Sequence, residues 1–313
     1  MTGEALQPKP TVWEVSERHA GWRLDRFLVE MIPKLSRTRL QKVIGERISL
    51  SWRETVAAGT RLKAGGRVIA SFPKLDEVAN PISCPILYED SDILAVDKPA
   101  GLVVHPTNSC RANSLIEALR RERGESELRL VHRLDRETSG VLLLARSAEA
   151  ARIWGKALMR RKVEKIYVAR VQGRPPGKEG EVDQPIGRDI RSRVFVRRTV
   201  TPDGEQALTR YRVLSEIGGT SLVEFRPLTG RCHQLRVHAE WLGCPILGDP
   251  LYGKPDEAYL RYLTGLGGRE RLFLHAWKLE GKVSGRVIRL EAPVPEIFYE
   301  EEAECLRTKR NSF

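Results

Sequence analysis

The hydrophobic positions near the N-terminus have the spacing of two short amphipathic helices. In the first helix, apolar residues recur at i, i+3, i+4 and i+7, and Pro33 ends the helix. The second helix is predicted to begin after Ser36, a good N-cap, and to stop at Gly45. Short alternating runs at residues 48–50 and 67–70 then predict two strands. The apolar faces of the two helices consist of Leu24, Phe27, Leu28, Met31, Leu40, Val43 and Ile44.

From residue 86 onward, strand-like apolar runs are interrupted irregularly by a few helical stretches. This order does not match the regular strand-helix alternation of a doubly wound fold. It predicts an α+β domain with a mixed, largely antiparallel sheet. The predicted strands cover residues 93–98, 141–145, 165–171, 208–214, 221–226 and 286–291, and the predicted helices cover residues 114–123, 147–161 and 231–242.

Proline-rich and polar stretches divide the chain, whose 313 residues are enough for two domains. The N-terminal helices and strands form a small α/β domain, and the longer strand-rich part forms the main domain. The predicted parts are a flexible leader at residues 1–20, the small domain at 21–72, a linker at 73–85, the main domain at 86–298 and a charged tail at 299–313.

The chain is strongly basic, since 53 Lys and Arg residues against 41 Asp and Glu residues give a net charge of +12. This excess favours a polyanionic partner, because Lys and Arg contacts to phosphates supply most non-specific affinity for nucleic acids. Residues 1–74 alone hold 14 basic and 7 acidic residues. Arg37, Arg39 and Lys42 lie on the polar face of the second helix and are therefore candidate RNA contacts.

Composition argues against a disulfide framework, a metal site and a membrane span. The five cysteines are odd in number and include no Cys-x-x-Cys pair, which favours a reducing, cytoplasmic location. His105 and His132 have no third ligand at a suitable spacing, so no metal is expected. The polar N-terminus lacks the apolar segment of a signal peptide, and no run of about 18 apolar residues occurs.

The most informative stretch for function is residues 132–140, which read HRLDRETSG. It sets the carboxylate of Asp135 among two arginines and a histidine, at the mouth of the buried strand that follows. Nearby cations favour the ionised form of a carboxylate, which suits it to act on a substrate. The stretch resembles the catalytic signature of pseudouridine synthases of the RluA type, in which the catalytic aspartate occupies the position of Asp135.

Two further blocks resemble the same family in the same order. Residues 165–169 resemble its KxYxA block, in which the tyrosine at the position of Tyr167 stacks on the uracil. Residues 230–238 resemble its GRTHQIRVH block, in which the arginine at the position of Arg236 pairs with the catalytic aspartate. The resemblance implies a bidentate pair of Arg236 with Asp135, which would fix the charge and the orientation of the carboxylate.

Three more positions are expected to bind the substrate. The resemblance implies that Arg133 helps to displace the target base from its stack, because base extrusion costs energy that a substituting side chain lowers. His132 and His233 belong to the same blocks and are expected substrate contacts. A fourth block, at residues 242–253, is assigned scaffold roles, with Asp249 as a turn-bonding carboxylate.

The resemblance implies an enzyme that isomerises uridine in RNA to pseudouridine without a metal or a cofactor. Asp135 would either attack a sugar carbon or remove a sugar proton to give a glycal, and the sequence leaves both routes open. Residues 22–70 resemble the S-four-like RNA-binding domain, although its usual strand turns are replaced by Ser51-Trp52 and Gly65-Gly66. The expected partner is large-subunit ribosomal RNA, or else tRNA, with no membrane and no obligate protein partner.

Two alternatives come from other classes of protein. A non-catalytic RNA-binding or ribosome-assembly factor on the same fold would keep the basic residues but would not need Asp135, Tyr167 and Arg236. A carboxylate-based hydrolase would need a second positioned acid, and Glu137 is the only near candidate. Glu137 lies in an Arg-Glu-Thr turn, where it is expected to cap the turn or to pair with a neighbouring residue instead.

Overall fold

The computed structural model describes residues 10–32, 41, 44–70, 81–107, 110, 112–263 and 270–300. The chain divides into two compact units, Met1–Glu77 and Val78–Phe313. The division falls inside the predicted linker at residues 73–85, of which only the part from residue 81 onward is described.

The first unit packs a helix against a three-stranded antiparallel sheet. Its elements are β1 (Thr11–Glu14), α1 (Leu24–Met31), β2 (Ile48–Leu50) and β3 (Arg67–Ala70). The sheet has the order β1-β3-β2, and Leu24, Phe27 and Leu28 of α1 are fully buried in the core of the unit. The predicted first helix and both predicted strands are therefore confirmed.

The flexible leader predicted for residues 1–20 is wrong from residue 11 onward. Strand β1 pairs with β3 in a regular antiparallel register that sets Thr11 opposite Ala70. Val15 and His19, which follow the strand, are buried. The sequence did not reveal the strand because β1 lies at the edge of the sheet and leaves most of its side chains exposed.

The second helix of this unit ends later than the sequence predicts. Residues 44–47 are helical and lead directly into β2, so Gly45 lies within the helix instead of ending it. Ile44 is buried, in agreement with its predicted place on the apolar face. The predicted start of this helix at Ser36 lies outside the described residues, and so do Arg37, Arg39 and Lys42.

The second unit is built on a ten-stranded mixed sheet, in which eight strands follow one path and two pair at its side. The strands are β4 (Ile86–Glu89), β5 (Ile93–Lys98), β6 (Arg129–Leu130), β7 (Ser139–Ala145), β8 (Val163–Gln172), β9 (Glu179–Asp183), β12 (Leu208–Ile217), β13 (Thr220–Pro227), β14 (Leu274–Val283) and β15 (Arg286–Glu291). The path is β4-β5-β7-β14-β8-β13-β12-β9, with β15 on β14 and β6 on β7. A separate hairpin consists of β10 (Ile186–Arg188) and β11 (Arg198–Val200).

Among the described strands, only the pair β7 and β14 is parallel. The predicted α+β fold with a mixed, largely antiparallel sheet is therefore confirmed. Both faces of its central strands are buried: Leu142 and Leu144 of β7 pack into one core, and Leu143 packs into the other. Burial on both faces explains why β7 is a continuous apolar run in the sequence.

The helices of this unit are α2 (Leu115–Arg123), α3 (Ala148–Met159), α4 (Gln234–Trp241) and α5 (Asp256–Leu263). Helices α2 and α4 contribute to one core and α3 to the other. The helix predicted over residues 231–242 begins three residues later, at Gln234, because His233 has a φ of 58° and so lies outside the helix. The strands β9, β10 and β11 and the helix α5 were not predicted, since they bury few side chains.

Candidate active site

Asp135 lies in the loop that joins β6 to β7, with its side chain 34% exposed. The loop turns sharply, and the Thr138 N–H donates to the Asp135 carbonyl at 3.2 Å. At the start of β7, Gly140 has a φ of +106°, and a Cβ there would lie 2.2 Å from the Ala276 carbonyl oxygen of β14. Only glycine allows both this backbone conformation and this close approach. The turn into β7 thus fixes where the carboxylate stands.

Lys98 holds the same loop from inside the protein. Its side chain is fully buried, and Nζ donates to the carbonyl oxygens of Pro99, Leu102 and Arg136, each at 2.9 Å. Burial lowers the pKa of Lys98 to about 8. These three bonds tie the loop after Asp135 to the turn after β5. The sequence does not reveal this role, because a lysine at the end of an apolar strand gives no sign of which carbonyls it will reach.

Arg236 joins Asp135 to a second carboxylate. Its Nη1 donates to Asp135 Oδ2 at 3.1 Å, while Nε and Nη2 donate to the two oxygens of Asp249 at 2.7 and 2.8 Å. The predicted contact between Arg236 and Asp135 is confirmed, but the predicted bidentate geometry is wrong, because Asp249 takes the bidentate position. Asp249 also accepts from the backbone N–H groups of Leu251 and Tyr252, as its predicted turn-bonding role requires.

The two carboxylates determine the charge state of Arg236, which is almost fully buried. Burial alone would lower the pKa of Arg236, but the negative charges of Asp249 and Asp135 outweigh burial and raise the pKa above its usual value. Arg236 is therefore a permanent cation behind Asp135. Its guanidinium also lies over the ring of Tyr252, 4.9 Å from the ring centroid.

Tyr167 and Lys165 lie two residues apart on β8 and both line the cleft that contains Asp135. Burial, and then the negative charge of Asp135, raise the pKa of Tyr167 above its usual value, so the phenol stays neutral. Within the described part of the chain, the Tyr167 hydroxyl has no hydrogen-bond partner. The ring therefore offers a neutral aromatic surface beside the carboxylate.

The two predicted histidines lie in different places. His233 lines the cleft, with Nε2 4.0 Å from Asp135 Oδ2 and Nδ1 hydrogen-bonded to the Tyr252 hydroxyl at 2.8 Å. His132 does not line this cleft, and its Nε2 accepts from the Leu143 N–H at 3.1 Å. Burial lowers the pKa of His233 to about 4 and that of His132 to about 3, so both are neutral near pH 7.

Arg133 and Glu137 flank the carboxylate in the sequence but have different surroundings. Arg133 is exposed and lines the cleft, and its side chain has no hydrogen-bond or ion-pair partner in the described ranges. Glu137 accepts from the Tyr262 hydroxyl at 2.6 Å and lies 3.4 Å from Arg136 Nε. The expectation that Glu137 pairs locally is confirmed, and it does not line the cleft as a second acid.

Neither a metal cluster nor a membrane helix occurs among these residues. In the described ranges, no three His, Cys, Asp or Glu side chains come together as a cation site would require. No described helix has both the length and the apolar character needed to cross a membrane.

Comparison with known proteins connects this cleft with RNA modification. A model of the RNA pseudouridylate synthase family matches residues 92–241, which include Asp135, Tyr167 and Arg236. The chain is 37% identical over 297 residues to ribosomal large subunit pseudouridine synthase D of Nitrosomonas europaea, covering 90% of this chain and 84% of that protein. It is 33% identical over 321 residues to ribosomal large subunit pseudouridine synthase C of Escherichia coli, covering 97% of this chain and 98% of that protein.

Two solved human structures are similar to the chain in fold. The structure of human RNA pseudouridylate synthase domain containing 4 has a TM-score of 0.56 and 32% identity, covering 72% of this chain and 93% of that one. The structure of human RNA pseudouridylate synthase domain containing 1 has a TM-score of 0.57 and 25% identity, covering 75% of this chain and 98% of that one. Sequence and fold thus point to the same group of proteins.

Proposed function

The chain belongs to the RNA pseudouridylate synthase family, and from that premise we propose that it modifies large-subunit ribosomal RNA with Asp135 as its catalytic carboxylate. As a member of this family, it is an enzyme that isomerises uridine in RNA to pseudouridine. The observation that carries the role of Asp135 is its hydrogen bond to buried Arg236 in a cleft that Tyr167 also lines.

The reaction moves the attachment of the ribose from the ring nitrogen of uracil to carbon 5 of the same ring. The bond from the ring nitrogen to the ribose breaks, the freed base turns over, and carbon 5 of the base bonds to the ribose. Carbon 5 loses a proton and the ring nitrogen gains one, so there is no net oxidation or reduction. Asp135 either attacks the ribose carbon or removes a ribose proton to give a glycal, and both routes need an ionised carboxylate beside the sugar.

Arg236 is the residue that orients this carboxylate. Because two of its donors are engaged by Asp249, the guanidinium cannot rotate, and the remaining Nη1 is directed at Asp135. A charge-assisted bond from a fixed donor holds Asp135 in one orientation before the substrate arrives. Asp249 thus acts through Arg236 as a positioning residue.

Other residues of the cleft contact the target base or replace it in the RNA stack. Tyr167 offers the face on which the uracil stacks, because its neutral ring lines the cleft beside Asp135. Arg133, at the rim and without a partner in the described ranges, takes the place of the displaced base in the RNA stack. Neutral His233 offers Nε2 to the substrate next to the carboxylate. His132 contacts RNA only in the neighbouring cavity that it lines.

The choice of ribosomal RNA rests on the printed names of the relatives and on the basic N-terminal unit. Synthases C and D are named for the ribosomal large subunit, and both are similar to this chain over nine-tenths of its length or more. In this proposal, residues 21–72 form an S-four-like RNA-binding domain whose phosphate contacts include Arg37, Arg39 and Lys42. Transfer RNA is the next candidate substrate.

A map of pseudouridines in a strain that lacks this protein tests the choice of RNA. We expect one or more pseudouridines of the large-subunit ribosomal RNA to disappear and to return when the wild-type chain is expressed. Loss confined to transfer RNA would overturn the proposed substrate and leave the family assignment intact. An unchanged map of all RNAs would overturn the proposed substrate and the activity in that organism together.

A further inference from the structure

A second cavity, which His132 lines, adjoins the catalytic cleft. Its volume is about 430 Å³, against about 120 Å³ for the cleft that contains Asp135. The two cavities share four lining residues, namely Lys165, Pro227, Thr229 and Gly230. A polymer bound in the cleft can therefore continue into the second cavity without leaving the protein surface.

Lys165 stands where the two cavities meet. It lines both of them, and its Nζ would lie 3.6 Å from a Cβ placed on Gly230. Burial lowers the pKa of Lys165, and no described residue forms a hydrogen bond or an ion pair with it. A partly buried cation without a partner destabilises a fold, so its presence indicates a site that an anion completes.

Arg161 lines the second cavity and has an unfavourable backbone conformation. It follows the last turn of α3 with a φ of 55°, and its N–H donates to the Leu158 carbonyl at 3.1 Å. Glycine is the usual residue at such a left-handed helix end, because an L side chain is strained there. Arg161 is exposed and has no ion-pair partner within the described ranges. A strained arginine beside a basic cavity points to a use for its guanidinium.

Apolar side chains line the cavity beside its charged residues. Met159 is 78% exposed, and it lines the cavity together with Leu158, Val163 and Leu228. The acidic residue of the wall, Glu164, is paired with Arg226 at 3.0 Å. A cavity that combines apolar side chains with two cations that lack partners in the described ranges fits a nucleotide, since the base can pack on the apolar side chains and the phosphates can meet the cations.

We propose that the second cavity binds the nucleotide next to the target uridine in the same RNA strand, with its phosphates at Lys165 and Arg161 and its base against Met159. The proposal rests on the proposed function, because it assumes that the target uridine occupies the cleft. Two consecutive nucleotides are joined by one phosphodiester group. That group must lie between the two base sites, which is the position of Lys165.

Two variants are expected to weaken RNA binding without lowering the stability of the fold. Lys165→Met removes an unpartnered cation, and Arg161→Gly removes a strained conformation, so neither is expected to lower the denaturation midpoint. Both are expected to raise the KM for pseudouridine formation in a large-subunit ribosomal RNA transcript by about tenfold, with kcat within twofold of wild type. The affinity for a short single-stranded oligouridylate should also fall, and the slope of log K against log salt should decrease by about 0.7 for each lost phosphate contact.

Matched controls identify the cause of any loss. Arg160→Gln removes a neighbouring charge that does not line the cavity, and it should leave both KM and the salt slope unchanged. Arg161→Lys keeps the charge and should retain most of the affinity. If Lys165→Met and Arg161→Gly bind the oligouridylate and the transcript as wild type does, the subsite is refuted. If kcat falls while KM is unchanged, Lys165 acts on the chemistry and the subsite is likewise refuted.

The oligouridylate measurement keeps this result separate from the proposed function. Should the wild-type chain form no pseudouridine in any transcript, the catalytic proposal fails, while the binding comparison among the same variants still decides whether the cavity holds RNA. Should pseudouridine form normally in all variants with equal KM, only the subsite fails.

Discussion

At the scale of single residues, one guanidinium divided between two carboxylates organises the site. Arg236 gives two donors to Asp249 and one to Asp135, so the deeper carboxylate fixes the arginine and the arginine fixes the outer carboxylate. The sequence predicted that Arg236 and Asp135 would meet, because both lie in blocks that carry the family resemblance. It did not predict that Asp249 would take the bidentate position, since that competition depends on the folded distances.

The buried ion pair of Arg236 and Asp249 is expected to contribute to the free energy of unfolding. Asp249→Asn leaves a buried guanidinium without its main counter-charge and should lower the free energy of unfolding by about 3 kcal/mol. It should also lower kcat, because Arg236 is then free to rotate away from Asp135. Glu270→Gln breaks the exposed pair with Lys254 and should cost less than about 1 kcal/mol. Urea denaturation of both variants checks this, and equal losses would contradict the assigned role of Asp249.

At the scale of elements, the parallel pairing of β7 with β14 positions the catalytic loop. Apolar runs predicted β5, β7, β8 and α3 well, because burial on one or both faces leaves a clear pattern. The same reasoning missed β9, β10, β11 and α5, whose exposed positions look like loop sequence. It also gave no sign that β7 would run parallel to β14 or that its first turn needs Gly140, since both follow from contacts across more than a hundred residues.

Substitutions at two glycines with positive φ angles distinguish the cost of backbone strain from the cost of steric overlap. Gly140→Ala places a Cβ 2.2 Å from the Ala276 oxygen and should cost more than about 3 kcal/mol, with loss of activity as the loop shifts. Gly124→Ala, at the end of α2, has the same kind of backbone but open space around it, and it should cost about 1 kcal/mol with activity retained. A Gly140→Ala variant as stable as Gly124→Ala would contradict this account of the loop.

At the scale of the whole molecule, the sequence predicted two domains joined by a linker at residues 73–85, and the chain divides into two compact units between Glu77 and Val78. It misjudged where the first unit begins, because a polar edge strand at Thr11–Glu14 has too few buried side chains to show in the pattern. The fold class followed from the irregular order of the strands. The buried histidines of the second unit, in contrast, became apparent only from the structure.

These histidines predict how stability depends on pH. Burial lowers the pKa of His132 to about 3, and of His233 and His275 to about 4, whereas each has a pKa near 6.5 in the unfolded chain. Below pH 6.5 the unfolded chain binds protons that the folded chain does not, so stability is retained above pH 6.5 and lost as the pH falls towards 4. Each histidine should contribute a slope of up to about 1.4 kcal/mol per pH unit. Unfolding free energies that are flat between pH 6.5 and 5 would contradict their burial as neutral groups.

The central claim is that the carboxylate of Asp135 performs the chemistry. The most direct test is the rate of pseudouridine formation by Asp135→Asn in a large-subunit ribosomal RNA transcript, with RNA affinity measured on the same samples. Glu137→Gln serves as the matched control, because it removes a neighbouring acid that does not line the cleft. The account predicts that Asp135→Asn forms no pseudouridine and binds RNA within about twofold of wild type, while Glu137→Gln remains active. Undiminished turnover by Asp135→Asn would contradict it.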